Sequence, residues 1–525
     1  MSRRTLPAIA LIVLVTAVAY ARTFDNWFAW DDGYIVLDNP AIQDLANIPN
    51  LFVKPWAAGT TNDLGARQNA PYFRPLALAS MALDWAIAGP DPVVFHATNL
   101  LLHLASALFF WGWLRRLLGR GKDDPGPAGD RGPLLALIGA LLWAVHPVHS
   151  EAVDVVTYRT TLLSGLAMFA SLRLLTPAAR LDRFGTTETT AAAIAAGAAC
   201  FAAGLLAKET TLILPALLII FDTILGRMSW RRVATVYVPL VAVAAAWWVV
   251  RSGITGANIY TWFDGLTAWQ TTLMVPRIFF LYVRLALLPW PLCPFYDWNV
   301  LGAPESVLEP DIFVGALLML TMAAAIPLLA RRVPLAAFGL AWAFTALLPV
   351  SHLMPFFDAA GDRFLYVPLA GWIIAILGIA AALPATPVLR GIGLFLPMVA
   401  IVSFGIVTTI RTGDWHDSET VLKASIRDFP ESVSAHLGLG RLYLESHRSV
   451  EAIPELRAAA LGAPSLAIAV ALLAVAEGRS GDIAEARRTL RDAPMPEHGL
   501  PSAVEIARSE LGQAGEFELM RRMGL

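Results

Sequence analysis

The chain has 525 residues, 57% hydrophobic and 15% charged, with a formal net charge of −2 and a mean hydropathy of +0.60. Soluble domains run at about 25% charged residues, so this composition points to the membrane as solvent, and the near-neutral charge offers no basic field for nucleic acid. Two cysteines are too few for a disulfide framework, and Cys200 and Cys293 are both expected to be free thiols.

In chain order, the opening MSRRTLPAIALIVLVTAVAYAR combines basic residues with an apolar run. Ala19-Tyr20-Ala21 mimics a signal-peptidase site, but the many apolar runs that follow favour a retained first helix over a cleaved signal. A span needs about 20 apolar residues. Candidates lie near 6–22, 97–115, 133–148, 161–176, 190–206, 210–226, 233–250, 311–330, 334–350, 365–384 and 391–410, about eleven in all. The basic residues Arg3/Arg4, Arg115/Arg116/Arg120/Lys122, Arg173/Arg180/Arg183, Arg227/Arg231/Arg232, Arg331/Arg332 and Arg390 then fall on one side, which the positive-inside rule makes the cytoplasm. The first loop (23–95), the 251–310 stretch and everything after Arg411 face the other side. The segment 271–290 carries Arg277 and Arg284 one heptad apart. If it spanned, Arg331/Arg332 would be thrown outside, so it is expected to be re-entrant or interfacial, its arginines facing a cavity. The stretch 71–89 reads as a helix lying at the outer interface.

Beyond Arg411 acids and small residues appear at helical spacing. His436, Leu439, Gly440, Tyr443, Ala452, Leu456, Ala459 and Pro464 follow the tetratricopeptide pattern, with His436 where the usual Trp stands. A shift of about 34 residues finds Val470, Leu473, Ala474, Ala486, Leu490 and Ala493. Such repeats stack into a surface that binds extended peptide, and His436 and Tyr443 are the candidate contacts. A generic helical-hairpin bundle is the plainer alternative.

The polar residues of the apolar part cluster at the outer ends of the spans, where each is costly to place. In WDDGY, Asp31 and Asp32 sit side by side behind Trp30; two partly desolvated acids raise each other's pKa, which suits a general base. The alternative is an Asx-type turn with Gly33. In HPVHSEAVDVVTYR, His146, His149, Glu151, Asp154 and Arg159 crowd one span end. They suit a hydrogen-bonded network, with a divalent metal on His146, His149 and Glu151 as the weaker alternative; Arg159 can reach a phosphate. Lys208-Glu209 interrupts two apolar runs in a turn too short for a solvated loop, and Lys208 is a candidate phosphate anchor. Arg363 and Tyr366, preceded by Asp358 and Asp362, open a later span, and an arginine there suits phosphate or pyrophosphate. His96, Asn99 and His103 share one helix face; His103 reads as helix packing.

WDD in a first outer loop, YFRPL at 72–76, FHATNLLLHL at 95–104, HPVHSEAV…R at 146–159, AKE at 207–209, DRFLYVPLAG at 362–371 and then the repeats follow one another in this order. The chain thereby resembles the transmembrane and tetratricopeptide-repeat O-mannosyltransferases and their bacterial relatives, of the GT-C glycosyltransferase superfamily. The resemblance spans nearly the whole chain. It departs from the family in a short repeat array and in DRFLYVP where ERYLYLP is usual. It implies an all-α polytopic protein, with a GT-C-like catalytic domain over 1–411 and an extracytoplasmic repeat domain over 412–525. It implies a polyprenyl-phosphate sugar as co-substrate, mannose by analogy, and an acceptor outside the cytoplasm, a protein Ser/Thr in the first instance. The catalytic acid of the first outer loop maps onto Asp31 or Asp32. Arg363, Lys208, Arg159, Arg277 or Arg284 would neutralise the donor phosphate. Arg74 would brace the acid-bearing loop, beside a supporting set of His96, His146, His149, Glu151, Glu209 and Tyr366. A single in-line displacement would invert the anomeric centre. The expected location is a bacterial inner membrane, with the active site and repeats on the periplasmic side. Two rival classes are a transporter or flippase of lipid-linked sugars, which would need polar groups near the bilayer midplane and repeat-related halves, and a non-catalytic scaffold whose repeats recruit a partner.

Overall fold

Helices account for nearly all the regular structure, and no β-strand occurs among the described residues. The computed structural model describes residues 5–56, 72–119, 128–176, 189–226, 228–255, 266–294, 296–353, 359–384, 386–494 and 501–525. Arg3, Arg4, Arg120, Lys122, Arg180, Arg183, Arg227 and Asp358, all used in the sequence reading, lie outside them. The chain divides into two units: 1–290 with 304–358 and 362–416, and 291–303 with 359–361 and 417–525.

Not all of the eleven expected spans stand out among the described residues. Among the described residues four helices, Pro92–Leu118, Trp230–Thr255, Pro310–Arg332 and Pro387–Asp414, are long and apolar enough to cross a membrane. A fifth arises if Gly129–Ala144 and Pro147–Asp154, bent by 51°, count as one span. Other expected spans are shorter apolar helices, among them Thr5–Ala19, Ala191–Ala207 and Pro368–Ala382. At about 1.5 Å per residue such helices cover less than the roughly 30 Å hydrocarbon core. Hydropathy counted apolar runs; the backbone interrupts several of them with turns and short 3-10 segments at the positions of the polar clusters, as at Pro147–His149 and Glu209–Ile213. Residues 271–287 of the 271–290 stretch belong to one helix, Ala268–Leu287, started by a Thr267/Gln270 capping box.

Small residues set the packing. A Cβ on Gly339 would lie 2.3 Å from Ala375 N, and one on Gly371 2.5 Å from Ala343 N. The helices Pro334–Leu347 and Pro368–Ala382 therefore meet backbone to backbone, as in small-residue membrane interfaces. The described part of the 23–95 segment is itself folded. Phe28, Ile35, Val36, Ile42, Leu51 and Trp56 pack with Leu78 and Met81 of helix Pro75–Ala88, and with Phe95 and Val156. That helix starts at Pro75 and stops at Gly89, whose φ is +60°. Its Leu83 and Ile87 face outward while its Asp84 is buried.

The second unit is helical: Ser418–Asp428, Val433–Glu445, Ser449–Gly462, Ala467–Arg479, Ile483–Arg491, Ala503–Gln513 and Phe517–Met523. Gly440 lets Leu456 of the next helix approach; a Cβ there would be 2.4 Å from Leu456 Cγ. Leu439, Ala452, Leu456, Ala459, Ala474 and Ala486, all singled out by the repeat pattern, are buried.

Candidate active site

The site is built on one short segment, Val155–Thr161. Val155 is extended (φ −90°, ψ 119°) between the short helix Ser150–Asp154 and the long helix Arg159–Leu175, so the next amides leave the helical ladder. They are used by Asp32. Thr157 N–H donates to Asp32 Oδ1 (2.8 Å) and Val156 N–H to Oδ2 (3.0 Å), with Ala29 N–H at 3.4 Å from Oδ2. Asp32 is fully buried. Burial pushes its carboxyl up from the usual carboxylate range to about 7, against the opposing pull of the Thr157 and Val156 amides.

Asp31 lies in a different environment. It is half-buried, and Tyr34 Oη–H donates to its Oδ1 at 2.7 Å. The residue before the pair, Trp30, has φ +58°, a left-handed conformation rare for a bulky L-residue. Such a conformation stores roughly 1–3 kcal/mol and persists where neighbouring contacts enforce it. The loop is held on both sides: Asn26 Nδ2 donates to Thr412 O (3.1 Å), Trp27 N–H to His416 O (2.7 Å), and His96 Nε2 to Trp27 O (3.4 Å).

The same segment holds the cations. Lys208 Nζ donates to Thr161 Oγ1 at 2.8 Å and lies 5.4 Å from the Phe364 ring centre. The Arg363 guanidinium stacks on Tyr158 (4.3 Å) and Phe364 (4.6 Å). Glu151 binds Arg363 through both carboxylate oxygens: one takes the guanidinium, the other the Arg363 backbone N–H at 2.7 Å. Lys208 and Arg363 line one cleft with Thr161, Ser164, Thr210 and Tyr366, together with the apolar Met168, Ile213, Val350 and Val367. Tyr366 fits because residue 165 is glycine; a Cβ there would be 2.4 Å from its ring. Tyr366 Oη donates to His103 Nδ1 (3.0 Å), while His103 Nε2 donates to Ala144 O (2.8 Å).

Other sequence candidates brace this arrangement. Arg74 forks onto Glu209, with Nε–Oε2 of 3.1 Å and Nη2–Oε1 of 2.5 Å, and lies 4.1 Å over Tyr72, so the chain just before helix Pro75–Ala88 is pinned next to Lys208. Arg159 is completely buried. It pairs with Asp84 (2.5 Å) and donates to Asn99 Oδ1 (2.8 Å) and Phe95 O (3.0 Å), tying together three helices. His146 gives Nε2 to Ala286 O and takes Val148 N–H on Nδ1. His149 sits between the rings of Trp143 (4.6 Å) and Tyr366 (4.7 Å), with neither nitrogen hydrogen-bonded. Among the described residues no group of three or more His, Cys, Asp or Glu is arranged to hold a metal ion.

Two arginines stand elsewhere. Arg277 is bound by Glu309 and by Asp311 (2.7 Å), and Arg284 donates to Trp290 O; neither lines the cleft. In the second unit His436 pairs with Glu455 (2.6 Å), and Tyr443, buried, reaches Glu419 (3.3 Å) beneath Arg448. The sequence reading missed Tyr158 and Thr161, which touch Arg363 and Lys208, and Asp84, the partner of Arg159. The signals were there: a TYRTT run at a span mouth and a lone acid inside an apolar helix.

No family model matches the chain. It is 23% identical over 496 residues to the protein O-mannosyl-transferase TMTC4 of Mus musculus, covering 84% of this chain and 65% of that one. For TMTC4 of Homo sapiens the figures are 23% over 492 residues, 84% and 64%. The chain thus spans just under two thirds of these relatives' length. Protein O-mannosyl-transferase Tmtc3 of Drosophila melanogaster is 28% identical over 179 residues, 32% of this chain and 19% of that one. Two solved structures are similar at a lower level: the apo oligosaccharyltransferase of Archaeoglobus fulgidus (TM-score 0.45, 12% identity, 85% of this chain and 60% of that one) and ArnT of Cupriavidus metallidurans bound to undecaprenyl phosphate (0.44, 14%, 96% and 84%). Both likenesses are too distant to define a shared fold. Along most of its length the chain is a relative, in sequence, of the transmembrane and tetratricopeptide-repeat protein O-mannosyl-transferases.

Proposed function

We propose that this chain is a GT-C-type membrane glycosyltransferase that moves a sugar from a polyprenyl-phosphate carrier to a hydroxyl outside the cytoplasm. One observation carries the reading: a cleft lined by two cations and by apolar side chains, tied through seven residues, 155–161, to a loop bearing tandem acids. An amphipathic ligand with an anionic head suits such a cleft; the lipid chain takes the apolar side chains, and the phosphate meets Lys208 and Arg363. Of the two acids, Asp31 is the one open to an acceptor. Its carboxylate takes the acceptor O–H proton as that oxygen bonds the anomeric carbon. The bond from that carbon to the phosphate oxygen breaks, and the phosphate leaves with the electron pair, stabilised by the two cations. Attack in line inverts the centre. Asp32 holds the loop through the Val156 and Thr157 amides, and Arg74–Glu209 holds the chain just before helix Pro75–Ala88.

Mannose is the first sugar to test and a protein Ser/Thr hydroxyl the first acceptor, since the relatives' names carry protein O-mannosyl transfer. The helices of 417–525 read as tetratricopeptide repeats that bind the acceptor chain. In a multi-pass protein of a bacterial inner membrane, this site and these repeats would face the periplasm. The test is transfer from polyprenyl-phosphate mannose by purified wild type, Asp31→Asn and Asp32→Asn. Loss of a general base lowers the rate about 10²–10⁴-fold, expected for Asp31→Asn with the donor still bound; Asp32→Asn is expected to retain more. Wild-type rates in both variants would remove the tandem acids from the chemistry. Lipid movement across vesicles without transfer would favour a flippase.

A further inference from the structure

Two helices of the second unit treat the same face differently. The shift of about 34 residues that relates His436 to Val470 also relates Leu437 to Ala471, Gly438 to Leu472, Arg441 to Val475 and Glu445 to Arg479. In Val433–Glu445 the buried side is a stripe with Leu439, Gly440 and Tyr443, and Gly440 receives Leu456 of the next helix. Gly438, Arg441 and Glu445 lie about 100–160° round the helix from Gly440, turned away from Ser449–Gly462. Gly438 and Arg441 are half-buried there, as is Leu437, and Glu445 is exposed. Ala467–Arg479 has no such open side. Every residue from Ala469 to Gly478 is buried, a run that passes more than twice round the helix.

The C-terminal helix pair, Ala503–Gln513 and Phe517–Met523, packs on Ala467–Arg479. Met523 is buried against Gly478, where a Cβ would lie 2.6 Å from its sulfur. Arg479 pairs with Glu516 at 3.0 Å, and Arg487 donates to the Arg522 carbonyl. Because Arg479 corresponds to Glu445, the pair seats on the face that the earlier helix leaves open. Its grip is slight: Ala503, Ala507 and Leu511 are the buried stripe of the first of its helices. Helices of this length are marginal alone in water, so docking supplies much of their order.

Resting on the repeat reading above, we propose that segment 503–523 is a built-in ligand of the repeat surface, docked on Ala467–Arg479 where an acceptor chain would otherwise lie. The face it covers is apolar at Ala471, Leu472 and Val475 and ends on the cation Arg479. It therefore suits an amphipathic helix with small apolar side chains and an acid at its end, as the docked segment is. Leu437, Gly438 and Arg441 remain as the part open to a chain from outside. A ligand tethered in the same molecule holds its site at a high effective concentration, so a free segment enters the covered face by displacing the tethered one.

The test uses the full-length protein in lipid nanodiscs, with a protease site inserted within 495–500 and a labelled synthetic peptide of residues 501–525 as probe. The uncut chain is expected to bind the probe weakly. Cutting and dilution should raise its apparent affinity by about a hundredfold, the lower end of what loss of a tethered competitor gives. A Met523→Asp probe should bind the cut chain at least about tenfold more weakly, because it carries a charge into an apolar seat. A Glu516→Arg probe should also lose affinity and regain it on an Arg479→Glu chain, a rescue that general loosening of the fold would not give. If the cut chain does not stay folded, the uncut Met523→Asp chain decides the matter, and it should take up the wild-type probe. Equal binding to cut and uncut chains, or no binding to either the cut chain or the Met523→Asp chain, overturns the proposal and makes 503–523 a fixed part of the fold. A labelled Ser/Thr-rich peptide that binds neither cut nor uncut chain, while the 501–525 probe exchanges, removes the acceptor reading of the repeats and leaves the built-in ligand standing.

Discussion

The first unit and the second handle charge in opposite ways. Around the cleft, Asp32, Glu151, Arg159, Lys208 and Arg363 are buried, and each is held by named partners at fixed geometry. In the 417–525 helices most charges pair at the surface: Arg448 with Glu419 and Glu451, Lys423 with Glu419, Arg441 with Glu445. Burying a charge is expensive, and a fold retains the expense where chemistry needs it. Exposed pairs contribute about 0–1 kcal/mol each and serve solubility and helix register. The contrast marks where to look for chemistry without any reference to relatives.

That contrast can be broken, from its strongest point to its weakest. Arg159→Met leaves Asp84 buried without its partner; removing one member of a buried pair costs about 3–5 kcal/mol. The variant is expected to lose monodispersity or melt far below wild type. A melting temperature within a few degrees of wild type would show that the buried network is dispensable. Gly339→Leu drives a side chain into the Ala375 backbone, and overpacking of this kind costs about 1–3 kcal/mol or more. It should lower the melting temperature without altering lipid affinity in the fraction that folds.

The pH response is the next sharpest. Burial raises the Asp32 carboxyl to about 7, whereas the unfolded chain ionises it near the ordinary value of 3.8. Between these values the folded protein holds the extra proton, so this group's contribution to stability falls as pH rises from about 4 to about 7. Loop anchoring runs the other way, because the ionised carboxylate accepts the Val156 and Thr157 amides better than the acid does. Transfer should therefore fall as pH drops through about 7, and Asp32→Asn should flatten that limb. A limb of unchanged midpoint in Asp32→Asn would assign it to another group. The smallest effect is expected from Arg448→Ala. Arg448 and Lys423 hold the Glu419 carboxyl down at about 2, yet the pairs are largely solvated. The melting temperature should stay close to that of wild type, as expected for solvated ion pairs, and transfer from a lipid donor to a small soluble acceptor should not change.

Much of the site was legible because polar residues in apolar surroundings announce themselves. Asp31, Asp32, Lys208, Glu151, Arg363 and Tyr366 all stood out in this way; of these, Asp32 binds the Val156 and Thr157 amides, Lys208 reaches Thr161 and Arg363 lies against Tyr158. Arg74 was read as a brace for the acid-bearing loop; the structure pairs it with Glu209. What the sequence hid is physical in origin. The partners of Asp32 are backbone amides, which leave no trace in side-chain identity. Arg159 looked like Arg363 in the sequence; only burial and Asp84 separate a strut from a cation at a cleft. Arg277 and Arg284 shared one helix face, but Glu309, Asp311 and the Trp290 carbonyl take them up instead. Apolar composition marks where runs lie but not how long each helix is, so several expected spans, such as Thr5–Ala19 and Pro368–Ala382, are shorter apolar helices.

The most direct measurement is an electron cryomicroscopy structure of the protein with a non-reacting polyprenyl-phosphate sugar analogue bound. The phosphate should lie within hydrogen-bond reach of Lys208 and Arg363, with the tail over Met168, Ile213 and Val350 and the anomeric carbon on the side of Asp31. A phosphate seated on Arg277 or Arg284, with the 155–161 segment uninvolved, would contradict the account.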